Sequence, residues 1–193
     1  QALDLNVFIS GLNRLEAMRF VAGNIRLVVH LPLVIDDRDP EVLREGLVQA
    51  KEGSFINSPV DVEARDEEIF KLAKQFRAGL FLLPMTDRQI PRDSAEHLRA
   101  SRLLLERLED CGIPREQVAF DAILLALREA KGAVLETVER IKRMKEMLGV
   151  KTVMGLSNIS YGLKRRAELN ARFLRLAKGA GLDYVICDPL QEE

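Results

Sequence analysis

The sequence predicts a TIM-type (β/α)8 barrel, and three observations predict it. Short apolar runs alternate with longer amphipathic segments, several of the runs are apolar almost throughout, and polar residues collect at the runs' C-terminal ends. Runs without in–out alternation suit parallel strands covered on both faces. Strands alternating with helices at the length of one βα repeat suit a parallel sheet. Pattern alone leaves an open doubly wound sheet as the competitor. A complete eight-stranded barrel takes about 250 residues. A chain of 193 residues with seven expected strands is therefore expected to be one domain, residues 1–193, short by one βα unit and the last helix.

The expected strands are Ala2–Val7, Arg26–Ile35, Ser54–Asn57, Gly79–Met85, Gln117–Phe120, Lys151–Leu156 and Asp183–Ile186. Asp39-Pro40-Glu41 opens a helix, with Asp as N-cap and Pro at the first helical position. Asp66–Arg77 carries a stripe of Ile69, Phe70, Leu72, Ala73 and Phe76, the apolar face of a helix. Ser94–Cys111 repeats leucine and ends at Gly112-Ile113-Pro114, a helix stop. Glu129–Leu148 is expected as a long charged helix with Val134, Val138, Ile141 and Leu148 inward. Arg165–Lys178 is the last, closed by Gly179 and Gly181.

Composition narrows the function. Hydrophobic residues make up 47% and charged residues 31%, enough apolar mass for a core, and the net charge is -1. A nucleic-acid surface would show as a basic excess. No apolar run reaches membrane-spanning length, about 18 residues, and the N-terminus has no basic-then-apolar leader pattern. Cys111 and Cys187 form no CxxC pair, so a reducing, cytoplasmic setting is expected. The chain begins at Gln1 inside an expected strand, which suggests a fragment, a processed chain or an unseen N-terminal segment.

Asp4 and Asn6 lie in the first strand's C-terminal half, Asp36 and Asp37 follow the second, and Asn57 and Ser58 the third. Thr86 and Asp87 follow the fourth, Asp121 ends the fifth, Ser157 and Asn158 the sixth, and Asp188 the seventh. In a parallel barrel these ends share the face that carries the active site. Helix capping accounts for Asp87 and Asp188. Asp4, Asp121 and Asn158 sit in or against apolar strands, where an unpaired polar group is costly, so they need each other or a ligand. Carboxylates and amides with few cations suit an N–H-rich neutral heterocycle held by its edge. No GxGxxG or GxxxxGK[ST] phosphate loop is present. His30, mid-strand, and His97, in a helix, are too scattered for a metal site and read as structural. Arg165 and Arg166 open the last helix near Asn158, either as a solvated face or as contacts for a ligand's acidic tail.

Five segments, in order, resemble one family. They are Leu3-Asp4-Leu5-Asn6-Val7, Leu31 to Asp36 with Asp39-Pro40-Glu41, Phe55-Ile56-Asn57-Ser58, Phe120-Asp121, and Gly155-Leu156-Ser157-Asn158-Ile159-Ser160 with Asn170 and Gly179–Asp183 beyond. Together they look like the pterin-binding methyltransferases. The nearest in pattern are the methyltetrahydrofolate:corrinoid/iron-sulfur protein methyltransferases and the folate domain of cobalamin-dependent methionine synthase. The resemblance implies transfer of the N5-methyl of methyltetrahydrofolate to a cob(I)alamin-type corrinoid carried by a partner protein or domain. It implies a pterin site drawn from Asp4, Asn6, Asp36, Asp39, Asn57, Asp121 and Ser157, with Asn158 at N5 as the catalytic amide and Arg165 and Arg166 toward the folate tail.

The chain departs from the family pattern in places. The first strand is absent, which identifies the missing βα unit as the first. Asp39 stands for Asn, Phe8-Ile9 for Gly-Pro, Ala122 for Pro, and Pro84 for a small polar residue. A non-catalytic pterin-binding barrel or structural subunit therefore remains an alternative. Dihydropteroate synthase shares the architecture, but its late-barrel Lys and Arg are not matched by Gly155–Ser160. Exposed strand edges in an incomplete barrel would favour a homodimer or other oligomer.

Overall fold

The computed structural model describes residues 1–50, 53–64 and 67–188. Seven parallel strands run in chain order, β1 Leu3–Asn6, β2 Leu33–Asp36, β3 Phe55–Asp61, β4 Gly79–Met85, β5 Val118–Asp121, β6 Lys151–Gly155 and β7 Tyr184–Ile186. Six α-helices lie between them, α1 Arg14–Val28, α2 Pro40–Ala50, α3 Glu68–Phe76, α4 Ser94–Asp110, α5 Ala133–Arg143 and α6 Arg166–Gly179.

Aromatic contacts show that the sheet curls. Neighbouring strands lie about 4.8 Å apart, so three steps across a flat sheet span about 14 Å. Yet Phe81 of β4 and Tyr184 of β7 have ring centroids 5.1 Å apart, and Phe55 of β3 lies 6.4 Å from Tyr184. The sheet therefore wraps into a nearly closed barrel and is not an open doubly wound sheet. Among the described residues β1 pairs only with β2 and β7 only with β6.

Alternate residues of each strand face inward or outward. The outward set, including Leu5, Leu33, Ile35, Ile56, Leu80, Leu82, Phe120 and Met154, packs against Leu43, Leu47, Phe70, Leu104, Ile141 and Phe173 of the helices. That is the main core. A smaller inner cluster of Val34, Phe55, Phe81, Ala119, Val153, Tyr184 and Ile186 plugs the barrel. Asn6, Asp36, Asn57 and Asp121 occupy inward positions toward the C-terminal ends of β1, β2, β3 and β5. Asn6, Asp36 and Asn57 share one register row across β1, β2 and β3.

The strand order agrees with the sequence; α1 is a helix that the sequence reading omits, and particular element ends are corrected. The strand expected over Arg26–Ile35 is β2 at Leu33–Asp36, and Arg26–Val28 is instead the last turn of α1. His30 consequently lies in the α1–β2 loop, not in a strand. Asn13 caps α1, its side chain accepting from the N–H groups of Leu15 and Glu16. The expected helix over Glu129–Leu148 begins later, at Ala133, and its last five residues, Met144–Leu148, form a π-helical turn ended by Gly149 at φ 64°. Strand β3 runs past Asn57 to Asp61, so Asn57 and Ser58 are strand residues. The expected helix start at Asp66 lies outside the described residues; α3 runs from Glu68.

Candidate functional site

Inside the barrel, amides pair with carboxylates. Asn6 Nδ2 donates to Asp36 Oδ2 at 2.9 Å, while Asn6 Oδ1 accepts the Phe8 N–H at 2.8 Å, which fixes which way the amide points. Asn57 Nδ2 reaches across β2 to donate to Asp4 Oδ2 at 3.4 Å. Asp121 ends β5, and its Oδ1 accepts the Ile123 N–H at 2.7 Å. Five expected residues, Asp4, Asn6, Asp36, Asn57 and Asp121, thus come together.

Electrostatics in this group is unfavourable to negative charge. Burial raises Asp4 from 3.8 to about 6, Asp36 adds to the rise, and the Asn57 amide works against it. Burial also raises Asp121 to about 6; the Ile123 N–H and the Arg140 guanidinium work against that rise and Asp36 adds to it. Asp36 is raised as well, by burial first and by Asp37, against its bond from Asn6. Three carboxyls therefore converge in a poorly solvated barrel mouth. Groups held this way are stabilised as anions by donors brought to them. Strong shifts from burial and like charge are common at functional sites.

A cavity of ≈ 270 Å³ opens at this end, lined by Asn6, Phe8, Arg14, Asp36, Asp37, Arg38 and Pro59. Arg14 was missed from sequence. Its Nη1 bonds the buried Asp37 carboxylate at 2.6 Å and its Nη2 reaches Asp39 at 3.4 Å. The pair ties the start of α1 to the end of β2. Asp39 stands slightly aside, with Oδ1 accepting from the Glu41 N–H at 3.0 Å as an N-cap. A second cavity of ≈ 260 Å³ lies at the opposite, N-terminal end of the strands, beneath Phe55, Phe81 and Tyr184. The inner apolar plug separates the two.

Ser157 and Asn158 occupy a 3-10 turn, Leu156–Asn158, directly after β6. Asn158 is solvent-exposed, and its Nδ2 lies 3.2 Å from where a Cβ on Gly155 would stand. A side chain at 155 would crowd that amide. Ser157 Oγ is buried with no hydrogen-bond partner among the described residues. Arg166 holds this turn: its Nε donates to Ser160 Oγ at 3.1 Å and its Nη2 to the Ser157 carbonyl at 3.2 Å. Arg165 is exposed and ion-paired with Glu168. The two arginines therefore differ, one built into the turn and the other facing solvent.

Behind Asp121 lies a buried polar layer that sequence reasoning also missed. Ile123 has φ 54°, the left-handed region. Its carbonyl accepts from Thr137 Oγ1 at 2.9 Å and Arg140 Nη1 at 3.2 Å. His97 is fully buried, with its imidazole against the Asp121 backbone. Desolvation, then Arg140, lowers its pKa to about 3, so it is neutral.

Comparison with known proteins agrees with this architecture. A family model described as "Pterin binding enzyme" matches residues 1–188. The chain is 24% identical over 182 residues to the methylcorrinoid:tetrahydrofolate methyltransferase of Eubacterium limosum, covering 93% of this chain and 67% of that protein. It is 28% identical over 197 residues to the methionine synthase of Mycobacterium leprae, covering 95% of this chain but 16% of that one. Among solved structures, dihydropteroate synthase from Xanthomonas albilineans with 7,8-dihydropteroate superposes with a TM-score of 0.76 at 20% identity, over 98% of this chain and 73% of that one. The enzyme from Thermus thermophilus gives 0.69 at 21% identity, over 97% and 76%. At such identities the likeness carries the fold. With a family model spanning nearly its whole length and a seven-stranded parallel barrel beneath it, the chain belongs to the pterin binding enzyme family.

Proposed function

We propose that the protein is a methyltransferase that moves the N5-methyl of methyltetrahydrofolate to a corrinoid acceptor on a partner protein or domain. The observation that carries the proposal is the convergence of Asp4, Asp36 and Asp121 at the C-terminal end of the barrel, two of them raised to about 6 by burial. A pterin presents N–H donors along one edge. Such donors would relieve the carboxyls and hold the ring by its edge, which suits Asp4 and Asp121 as acceptors with Asn6, Asp36 and Asn57 shaping the row. Ser157 Oγ, buried and unpartnered among the described residues, is a further candidate contact. Asp39, already bonded to the Glu41 N–H and reaching Arg14, acts on the pterin edge through charge.

Chemistry at N5 needs help, because a tertiary amine leaves poorly. Nitrogen must gain positive character before the methyl departs. An amide at N5 stabilises that developing charge, and Asn158 is the residue for the role. The corrinoid, when bound, supplies the nucleophile. The Eubacterium limosum relative's name writes the methylcorrinoid first; the demand on N5 is the same in either direction. Cys111 and Cys187 form no CxxC pair, which fits a cytoplasmic setting, and no helix among the described residues is long and apolar enough to cross a membrane. One barrel domain over residues 1–193, and a homodimer or other oligomer, belong to the same proposal. Exposed Phe20, Leu27 and Val28 along α1 support association; sedimentation of a monomer at micromolar concentration would remove that part.

The test is loss of cob(I)alamin absorbance in the presence of methyltetrahydrofolate. Methylcobalamin should form, and Asn158→Ala should slow its formation more than it weakens folate binding. Folate binding by calorimetry without turnover would favour the non-catalytic barrel instead.

A further inference from the structure

Asp121 is held in place by an arrangement that the proposed reaction does not itself use. Ile123 is a β-branched residue in the left-handed region, which such residues rarely adopt without surrounding support. Its N–H points back to Asp121 Oδ1 at 2.7 Å. Its carbonyl points the other way, into α5, where the buried Thr137 hydroxyl and Arg140 guanidinium both donate to it. Arg140 also donates to the carbonyls of Pro91 at 3.4 Å and Arg92 at 3.3 Å, so one side chain clamps the loops after β4 and β5 together. The bond from Ile123 to Oδ1 fixes the carboxylate's rotation and leaves Oδ2 unoccupied by that bond.

We propose that Thr137 and Arg140 are positioning residues for Asp121, acting through the strained backbone of Ile123. The proposal rests on the pterin-site reading for its functional meaning, but its geometry does not. If the two donors fix the Ile123 peptide, they fix the N–H that orients Asp121. Removing a donor lets the peptide relax toward an ordinary conformation and carries the N–H away. Asp121 then loses both its rotamer and the bond that favours its anion. The charged and titratable groups acting on Asp121 are Asp36 and Arg140, with the neutral His97 imidazole against its backbone.

Thr137→Val is the informative change, because it removes a hydroxyl and no charge. Two quantities are read in the intact protein: the Asp121 carboxyl titration by carbon NMR, and the dissociation constant for tetrahydrofolate. In Thr137→Val the Asp121 titration should move above its wild-type value of about 6. Tetrahydrofolate should bind about fivefold more weakly, the scale of one hydrogen bond. Thr137→Ser, which keeps the hydroxyl, should restore both. Arg140→Met should raise the titration further, since it removes a donor and a cation. A merely structural Thr137 would lower the melting temperature and leave titration and affinity unchanged; that result overturns the proposal. Failure of the wild type to bind tetrahydrofolate would overturn the site reading alone, because the titration shift would still report on the clamp.

Discussion

Asp4 and Asp121 titrate near 6 because burial, more than any partner, acts on them. Near neutral pH they are anions short of solvation; a few units lower they are neutral acids. Recognition of pterin N–H groups by these carboxylates should therefore weaken on acidification. Calorimetry with a pterin that does not itself titrate should show affinity falling about tenfold or more between pH 7.5 and 5. Equal affinity at both would remove ionised carboxylates from recognition. These acids were legible in the sequence because a charged residue inside an apolar run has a single physical excuse, a partner or a ligand. Arg140 and Thr137 were not. They sit one helix behind the strand ends, among ordinary helix residues, and only a fold brings them to Ile123.

At the level of elements, the turn after β6 separates two adjacent arginines that sequence treats alike. Arg166 supports the turn that carries Asn158, whereas Arg165 pairs with Glu168 at the surface. Arg166→Ala should therefore lower thermal stability by about 1 kcal/mol, the worth of a bond or two, and slow methyl transfer. Arg165→Ala should leave stability unchanged and weaken a glutamate-tailed folate without weakening a tailless pterin. Denaturation midpoints and paired titrations separate these outcomes, and equal losses for both ligands would place Arg165 outside the tail site. The α1 error has a comparable origin. Leu27 and Val28 are 78% and 77% exposed, yet they lead into the apolar run of β2 with only His30 and Pro32 interrupting. Exposure, which decides between helix end and strand start, is invisible in that run. The Asn13-x-x-Glu16 spacing was the available helix signal.

Across the whole molecule, buried ionisable groups oppose one another, and the balance sets how stability responds to pH. Asp4 and Asp121 have folded values of about 6 against an ordinary 3.8. The folded state binds their protons first, so their contribution is full below about 3.8 and lost as pH rises through about 6. His97 runs the other way. Its folded value is about 3 against an ordinary 6.5, so its contribution is full above 6.5 and lost as pH falls toward 3. Glu45, Asp93 and Glu96 are all lowered from ordinary values of 3.8 to 4.5, so their losses belong to more acidic solution. Between pH 6.5 and 4.5 Asp4 and Asp121 together gain about 3 kcal/mol, with Asp4 trimmed by its partial exposure, Asp36 acts in the same direction, and the histidine loses about 2 kcal/mol. Wild-type stability should therefore rise slightly as the pH falls across that interval. An Asp4→Asn, Asp121→Asn double variant keeps the shapes and the Ile123 bond but removes the titrations. It should be more stable than wild type at pH 7.5 and should lose about 2 kcal/mol on going to pH 4.5, exposing the histidine slope. Urea denaturation across this pH range measures both. A double variant whose stability follows that of the wild type across the range would mean that the barrel mouth is far better solvated than its geometry implies.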